Sequence, residues 1–366
     1  MIPLKKPQIT EDAIESVVRV LRSGVIAQGP ETEEFEKEFA AYCEVNYAVS
    51  VNSGTAATHC ILASQGIGPG DEVITTGFSF VATVSPVLMC GATPVFADIN
   101  PLTYILDIDS VRERITERTR AIVVVDLFGL CADWSAFEKL AKEYGLVLIE
   151  DACQAHGARH NGRRAGNFGV GASFSFYATK NMMTAEGGMV TTNNEDVAIF
   201  TRRFRHHGQP PRGYYEYAHL GYNYRMTDIS AAIGRSQLRH LDEWTSRRQK
   251  IAQVLSAGLA NIDGIRLPVT PNNNQHVYHL YTISVDPSRR DGIVEGIRNN
   301  GVASGVYYPI PLYATSLFPE GRFDRSEYPN TERAVASVLS IPCEPVLSDR
   351  DIERVIDVTR LVLEGA

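Results

Sequence analysis

The chain has 366 residues, of which 44% are hydrophobic and 21% charged, with 35 basic against 43 acidic side chains for a formal charge of −8. That is the balance of an ordinary globular protein with material for a large core, and at roughly 150 residues per domain it predicts two to three domains, or one large domain with a smaller appendage. An acidic chain without a dense basic run is a poor general binder of nucleic acid or of anionic membranes, and no apolar run approaches the roughly 20 residues of a membrane span.

The opening Met1-Ile2-Pro3-Leu4-Lys5-Lys6 has no apolar h-region, so no secretory signal is predicted. The six cysteines (Cys43, Cys60, Cys90, Cys131, Cys153 and Cys343) form no C-x-x-C pair, and no His cluster stands at zinc-finger spacing. Reduced thiols, no disulfide and no metal site are the expectation, in a soluble cytoplasmic protein.

Tyr47–Val51 is an apolar, strand-like run that ends at Asn52-Ser53-Gly54, and a helix pattern follows from Thr55 to Gln65. Glu72–Thr75 reads as a strand, Val81–Cys90 as a helix and Pro94–Ala97 as a strand. Ala121–Val125 and Leu146–Ile149 are further strands, separated by the helix Trp134–Tyr144. Continuous β-branched runs belong to strands buried on both faces, and their alternation with helices predicts right-handed βαβ units around a parallel sheet. Ala172–Phe176 and Gly188–Thr192 follow with little room for a crossover helix, which predicts an antiparallel element in a mixed sheet.

Helical stretches over Thr227–Leu241 and Trp244–Leu259 come next. Beyond Ile265 the chain has its own strands, at His279–Val285 and Val302–Tyr307, and helices at Asp291–Asn299 and Asp349–Leu363. The predicted fold class is α/β, with a mixed, mostly parallel central sheet covered by helices on both faces. Residues 12–245 would form the large domain and 246–366 a smaller C-terminal α+β domain, with residues 1–11 packing near the latter.

Three segments carry chemistry. Asn52-Ser53-Gly54-Thr55-Ala56-Ala57 sits at a strand-to-helix turn, where first-turn amides bind phosphate or where a Ser simply caps a helix. Glu150-Asp151-Ala152-Cys153-Gln154 lies beyond the carboxyl end of a strand, where ligands of open α/β sheets bind, though an acid there also starts helices. Ser175-Phe176-Tyr177-Ala178-Thr179-Lys180 follows another strand and precedes Glu186-Gly187-Gly188; such a lysine is a desolvated nucleophile or a solvated loop residue. Together, a phosphate cradle, an acid and a lysine are the parts that pyridoxal 5′-phosphate requires.

At these residues the sequence resembles the DegT/DnrJ/EryC1/StrS family of sugar aminotransferases, of the aspartate aminotransferase fold type I. The resemblance covers essentially the whole chain. Further markers are Gly29 with Phe35-Glu36, Gly91-Ala92-Thr93-Pro94-Val95, the continuation Ala155-His156-Gly157, Asn181 after the lysine, and Gly221-Tyr222-Asn223-Tyr224-Arg225-Met226-Thr227. Seven motifs in the family's order are far more specific than any one of them.

The resemblance implies roles. Lys180 would form the Schiff base with pyridoxal phosphate and shuttle the proton. Asp151 would pair with the pyridinium nitrogen, Gln154 would bond the ring hydroxyl, and Phe80 would stack on the ring. Gly54, Thr55, Ala56 and Ser175 would hold the phosphate. Asn223 would reach the cofactor of the other subunit, which implies a homodimer with shared sites. Arg225, with Arg202, Arg203 and Arg205, would meet acidic groups of the substrates.

For substrate, Lys180 argues against the family's His-bearing sugar dehydratases. Glu186-Gly187-Gly188 resembles members that aminate C4 of a nucleotide-linked 4-keto-6-deoxyhexose with L-glutamate as donor. Tyr307-Tyr308-Pro309 departs from the family's His-Tyr-Pro, and Tyr313 stands where a second His is frequent; both belong to the substrate side. Alternatives are a C3-keto-sugar, to which Tyr177 also points, a keto-cyclitol, or a regulatory homologue without turnover. His206-His207 lacks a carboxylate at ligand spacing, and Tyr214-Tyr215-Glu216-Tyr217 reads as a surface loop or dimer contact.

Overall fold

The structure is a computed structural model that describes residues 1–210 and 215–365. Tyr214 of the tyrosine-rich loop lies outside them, while Tyr215 and Tyr217 are exposed.

Seven strands make the central sheet: β1 (Tyr47–Val51), β2 (Glu72–Thr76), β3 (Thr93–Ala97), β4 (Thr119–Val125), β5 (Val147–Asp151), β6 (Gly171–Ser175) and β7 (Gly188–Thr192). Their spatial order is β1-β7-β6-β5-β4-β2-β3. The sheet is mixed, as the short loop before Gly188 predicted: β7 runs antiparallel to β1 and β6, and the other pairings are parallel. Ile122, Val123 and Val124 are fully buried, with one face of the sheet packed under Phe35, Phe39 and Phe176 and the other under Ile61, Leu62 and Val197. Burial on both faces is why these strands show no polar alternation.

The register positions the site. Val51 and Ser175 each pair with Gly188, so the carboxyl ends of β1 and β6 flank the amino end of β7. β5 ends at Asp151 on the same edge.

A second core contains Leu255, Tyr281, Ile283, Ile297, Val302, Ile341 and Val355, around the antiparallel pair β8 (Tyr281–Ser284) and β9 (Val338–Ile341). Ile2 bridges to Val302, and the Lys5 amine lies 2.9 Å from Glu344.

Three local expectations change. The two helices expected over 227–259 are one helix, Asp228–Leu259, which runs unbroken past residue 245. Ala231 and Leu241 pack in the large core while Ile251 and Leu255 pack in the second, so tertiary contacts on both sides carry it through the polar stretch at Asp242-Glu243. The helix expected at Val81–Cys90 is a 3₁₀ turn, Val81–Thr83, followed by Ser85–Met89, since Pro86 suits a helix start and not an interior. Val302–Tyr307 makes only isolated bridges, from Val302 to Ile2 and from Gly305 to Ser340. Among the described residues, no helix is long and apolar enough to cross a membrane.

Candidate active site

A cavity of about 330 Å³ opens at the edge where β1, β5 and β6 end. Gly54, Thr55, Phe80, Asp151, Gln154, Ser175, Lys180, Glu186 and Tyr307 all line it. Residues from five separate stretches of sequence therefore meet in one place, which is where ligands of open α/β sheets bind.

The helix Gly54–Ser64 points its amino end at this cavity. Ser53 caps it, with its Oγ accepting from the Ala56 N–H at 3.1 Å, and the Ala57 N–H donates to the Ser53 carbonyl at 3.1 Å. Of the four orphan amides of a helix start, those of Gly54 and Thr55 have no partner among the described residues. Ala56, expected to hold phosphate, is buried with its amide taken by the cap. A Cβ on Gly54 would come within 2.8 Å of both Cys153 Sγ and Ser175 Cβ, so only glycine lets the helix start approach β6 this closely.

Asp151 is buried and its carboxylate is held on both oxygens: Thr83 Oγ donates to Oδ2 at 2.9 Å and the Cys153 N–H to Oδ1 at 3.2 Å. Across the cavity, burial holds the Lys180 amine below the ordinary lysine range, against the opposing charge of Asp151. Burial and Asp151 push the Cys153 thiol up, so it stays neutral beside them. Gln154 accepts from the Phe128 N–H at 2.9 Å and donates to the Tyr308 hydroxyl at 2.9 Å. Phe80 is 56% exposed at the mouth, 6.3 Å from the Tyr308 ring. Glu186 is exposed at the rim.

Further residues named above lie outside the cavity lining. Tyr313 is buried with Phe96, Leu312 and Phe318, and its hydroxyl donates to Glu332 at 2.8 Å; its ring fits against Gly77, and it does not line the cavity. Arg225 lies with Nη1 at 2.9 Å from His206 Nδ1, outside the cavity lining. Asn223 is exposed, with its carbonyl taking the Asn52 amide at 3.3 Å. Arg205 is not available to substrates: it is buried against Glu36 and the Ser50 carbonyl.

Sequence reasoning missed Thr83 and His279, which line the cavity together with Tyr308 of the Tyr307-Tyr308-Pro309 stretch. Thr83 stands three residues after Phe80. Tyr308 follows Tyr307, but its pairing with Gln154 spans 154 residues and leaves no local signal.

The profile of the DegT/DnrJ/EryC1/StrS aminotransferase family matches residues 7–360. The chain is 38% identical to the "Pleiotropic regulatory protein" of Geobacillus stearothermophilus, over 96% of this chain and 94% of that one. It is 40% identical to a dTDP-3-amino-3,4,6-trideoxy-alpha-D-glucose transaminase of Streptomyces venezuelae, over 94% and 90% of the two chains. The crystal structure of S. venezuelae DesV in complex with ketimine intermediate superposes with a TM-score of 0.91 at 40% identity, covering 96% of this chain and 94% of that one.

Proposed function

As the chain belongs to the DegT/DnrJ/EryC1/StrS aminotransferase family, we propose that it moves an amino group from L-glutamate to a nucleotide-linked keto-sugar, with Lys180 as the lysine that carries the cofactor. The family and its solved relatives imply pyridoxal 5′-phosphate. The observation that carries the reading is the shared cavity: a desolvated lysine, a fixed carboxylate and two unpartnered helix-start amides face one space. These fit the group's aldehyde, ring nitrogen and phosphate by charge and hydrogen-bonding type. When bound, that cofactor supplies an electron sink for the pair released when the substrate's Cα–H bond breaks.

The chain's own residues do the rest. With the cofactor in place, Lys180 Nζ, whose pKa burial lowers, would hold and move the proton released at the substrate's Cα. Asp151 keeps a proton on the ring nitrogen, because its carboxylate cannot turn away while Thr83 and Cys153 hold both oxygens. The amides of Gly54 and Thr55 with the hydroxyls of Thr55 and Ser175 bind the phosphate. One lysine serves both halves of a ping-pong cycle.

The resemblance of Glu186-Gly187-Gly188 to the motif of C4-aminating members supports a 4-keto-6-deoxyhexose as acceptor, and Glu186 lines the cavity. A second reading, a 3-keto-sugar, has its own support in the 3-amino product named for the S. venezuelae transaminase. Incubation with L-glutamate and a panel of 3-keto and 4-keto nucleotide sugars, with products read by mass spectrometry and NMR, separates them. An amine on any nucleotide sugar supports the function; turnover of keto-cyclitols alone overturns it.

A further inference from the structure

A second, much smaller space adjoins Lys180. It holds about 10 Å³, room for one water-sized guest. Lys180 lines both this space and the large cavity. Three cationic side chains, Lys6, Lys180 and Arg248, line it against one acid, Glu344. Glu344 is already taken on both oxygens: the Lys5 amine donates to Oε1 at 2.9 Å and Arg248 Nη2 to Oε2 at 3.0 Å. Lys5 also donates to the His279 carbonyl. Arg248 is only 2% exposed, and its Nε and Nη1 are buried with no acceptor among the described residues.

Two demands are therefore unmet in one place. A single carboxylate shared by Lys5 and Arg248 leaves one positive charge in the interior, while Lys180 has its own counter-charge in Asp151. An unpaired buried charge and unbonded buried donors are both costly. A water would accept from the two nitrogens and leave the charge; an anion meets both demands. We propose that the space is a binding site for one small monovalent anion of the halide class, with Arg248 Nε and Nη1 as its donors and the exposed Lys6 at its outer edge. The ion would join the N-terminal segment, the helix Asp228–Leu259, the segment after β9 and the loop that carries Lys180. Because it binds only where these four meet, it stabilises the folded chain by mass action. The inference stands apart from the proposed transamination.

The test uses the full-length protein as purified. Crystals grown in sodium bromide should show an anomalous bromide peak beside Arg248. Sodium chloride should raise the melting midpoint by roughly 2–4 °C over sodium gluconate, at an equal ionic strength that removes simple screening. Arg248→Met should abolish that gain. Glu344→Gln, which removes the only acid of the lining, should enlarge it, whereas a Glu344 with a purely structural role would leave it unchanged. If Arg248→Met does not fold, Lys6→Gln carries the comparison, with a smaller gain expected. A water without bromide signal beside Arg248, no chloride gain in the wild type, or a gain that survives in folded Arg248→Met or is unchanged in Glu344→Gln overturns the inference.

Discussion

The Thr83 hydroxyl donates to Asp151 Oδ2 at 2.9 Å, from a turn 68 residues earlier in the chain. Thr83 also meets the Ser79 hydroxyl at 2.9 Å. Its single proton is committed to Asp151, so Ser79 donates to Thr83 and the three residues form a one-way relay. The relay fixes the carboxylate that the proposed chemistry depends on.

Thr83→Val keeps the shape and removes the donor. A hydrogen bond to a charged group is worth about 1.5–3 kcal/mol, so turnover should fall by roughly tenfold to a hundredfold. Thr83→Ser should restore most of it. Steady-state kinetics on both variants, with melting curves as a check on the fold, decide the point. Equal losses in the Ser and Val variants would mean the hydroxyl is irrelevant and only packing matters.

Lys180 is predicted to be the one lysine on which borohydride fixes pyridoxal phosphate, located by peptide mass spectrometry. Lys180→Ala should still bind the cofactor through the remaining contacts and fail in both half-reactions. The amine is desolvated in the folded chain, and its lowered pKa means that the unfolded chain binds more protons. Folding stability therefore rises with pH through the folded value toward the ordinary lysine value, and the cofactor-free Lys180→Ala protein should lose that dependence. Trapping on another lysine would falsify the assignment.

A second pH effect comes from below the site. Asp126 and Glu150 are both fully buried and hydrogen-bonded to each other. Asp126 also accepts from Trp134 Nε1 at 3.1 Å, and Glu150 from the Gly166 N–H at 2.8 Å. Burial raises both, with the neighbouring carboxyl raising Glu150 further and Asp126 reaching about 7. The folded chain thus keeps a proton that the unfolded chain has released. Its stabilising contribution is complete below the unfolded carboxyl range, near about 4, and is lost as pH rises toward about 7. Urea midpoints should fall across this window. Glu150→Gln, which carries a permanent donor, should flatten the slope; an unchanged slope would assign it to other groups.

The parts of the site that were readable in sequence are those set by neighbours along the chain. Asp151 and Ser175 each end a buried strand and Lys180 follows one, and parallel strands end along one edge of the sheet. Arg205 shows the opposite case. Its sequence context is that of an exposed helix-end arginine, but Glu36, 169 residues away, draws it into the interior. Gly29 and Asp228 are a similar pair: the Asp228 carboxylate accepts from the Gly29 N–H at 2.8 Å and the Thr32 N–H at 3.0 Å, and a Cβ on Gly29 would lie 2.7 Å from it. Tyr313, placed on the substrate side by the resemblance, instead pairs with Glu332, 19 residues on, outside the cavity lining.

Asn223 supplies the last prediction. It is exposed and lies outside the cavity lining, while the Asn52 amide binds its carbonyl close to the helix start that would hold phosphate. Its side chain is thus presented outward beside one site. If it completes the phosphate site of a second subunit, each cofactor is held by two chains, and a ligand that binds only the dimer stabilises the dimer by mass action. A two-fold dimer would carry two such equivalent sites. Asn223→Ala should then loosen cofactor retention, measured by dialysis, while borohydride still fixes the cofactor on Lys180. Sedimentation velocity over a dilution series should show the cofactor-free protein dissociating at higher concentration than the loaded protein, and Asn223→Ala should narrow that gap. A loaded protein that is monomeric and fully active at assay concentration would remove any role for a second subunit, and Asn223 would then be an ordinary surface residue.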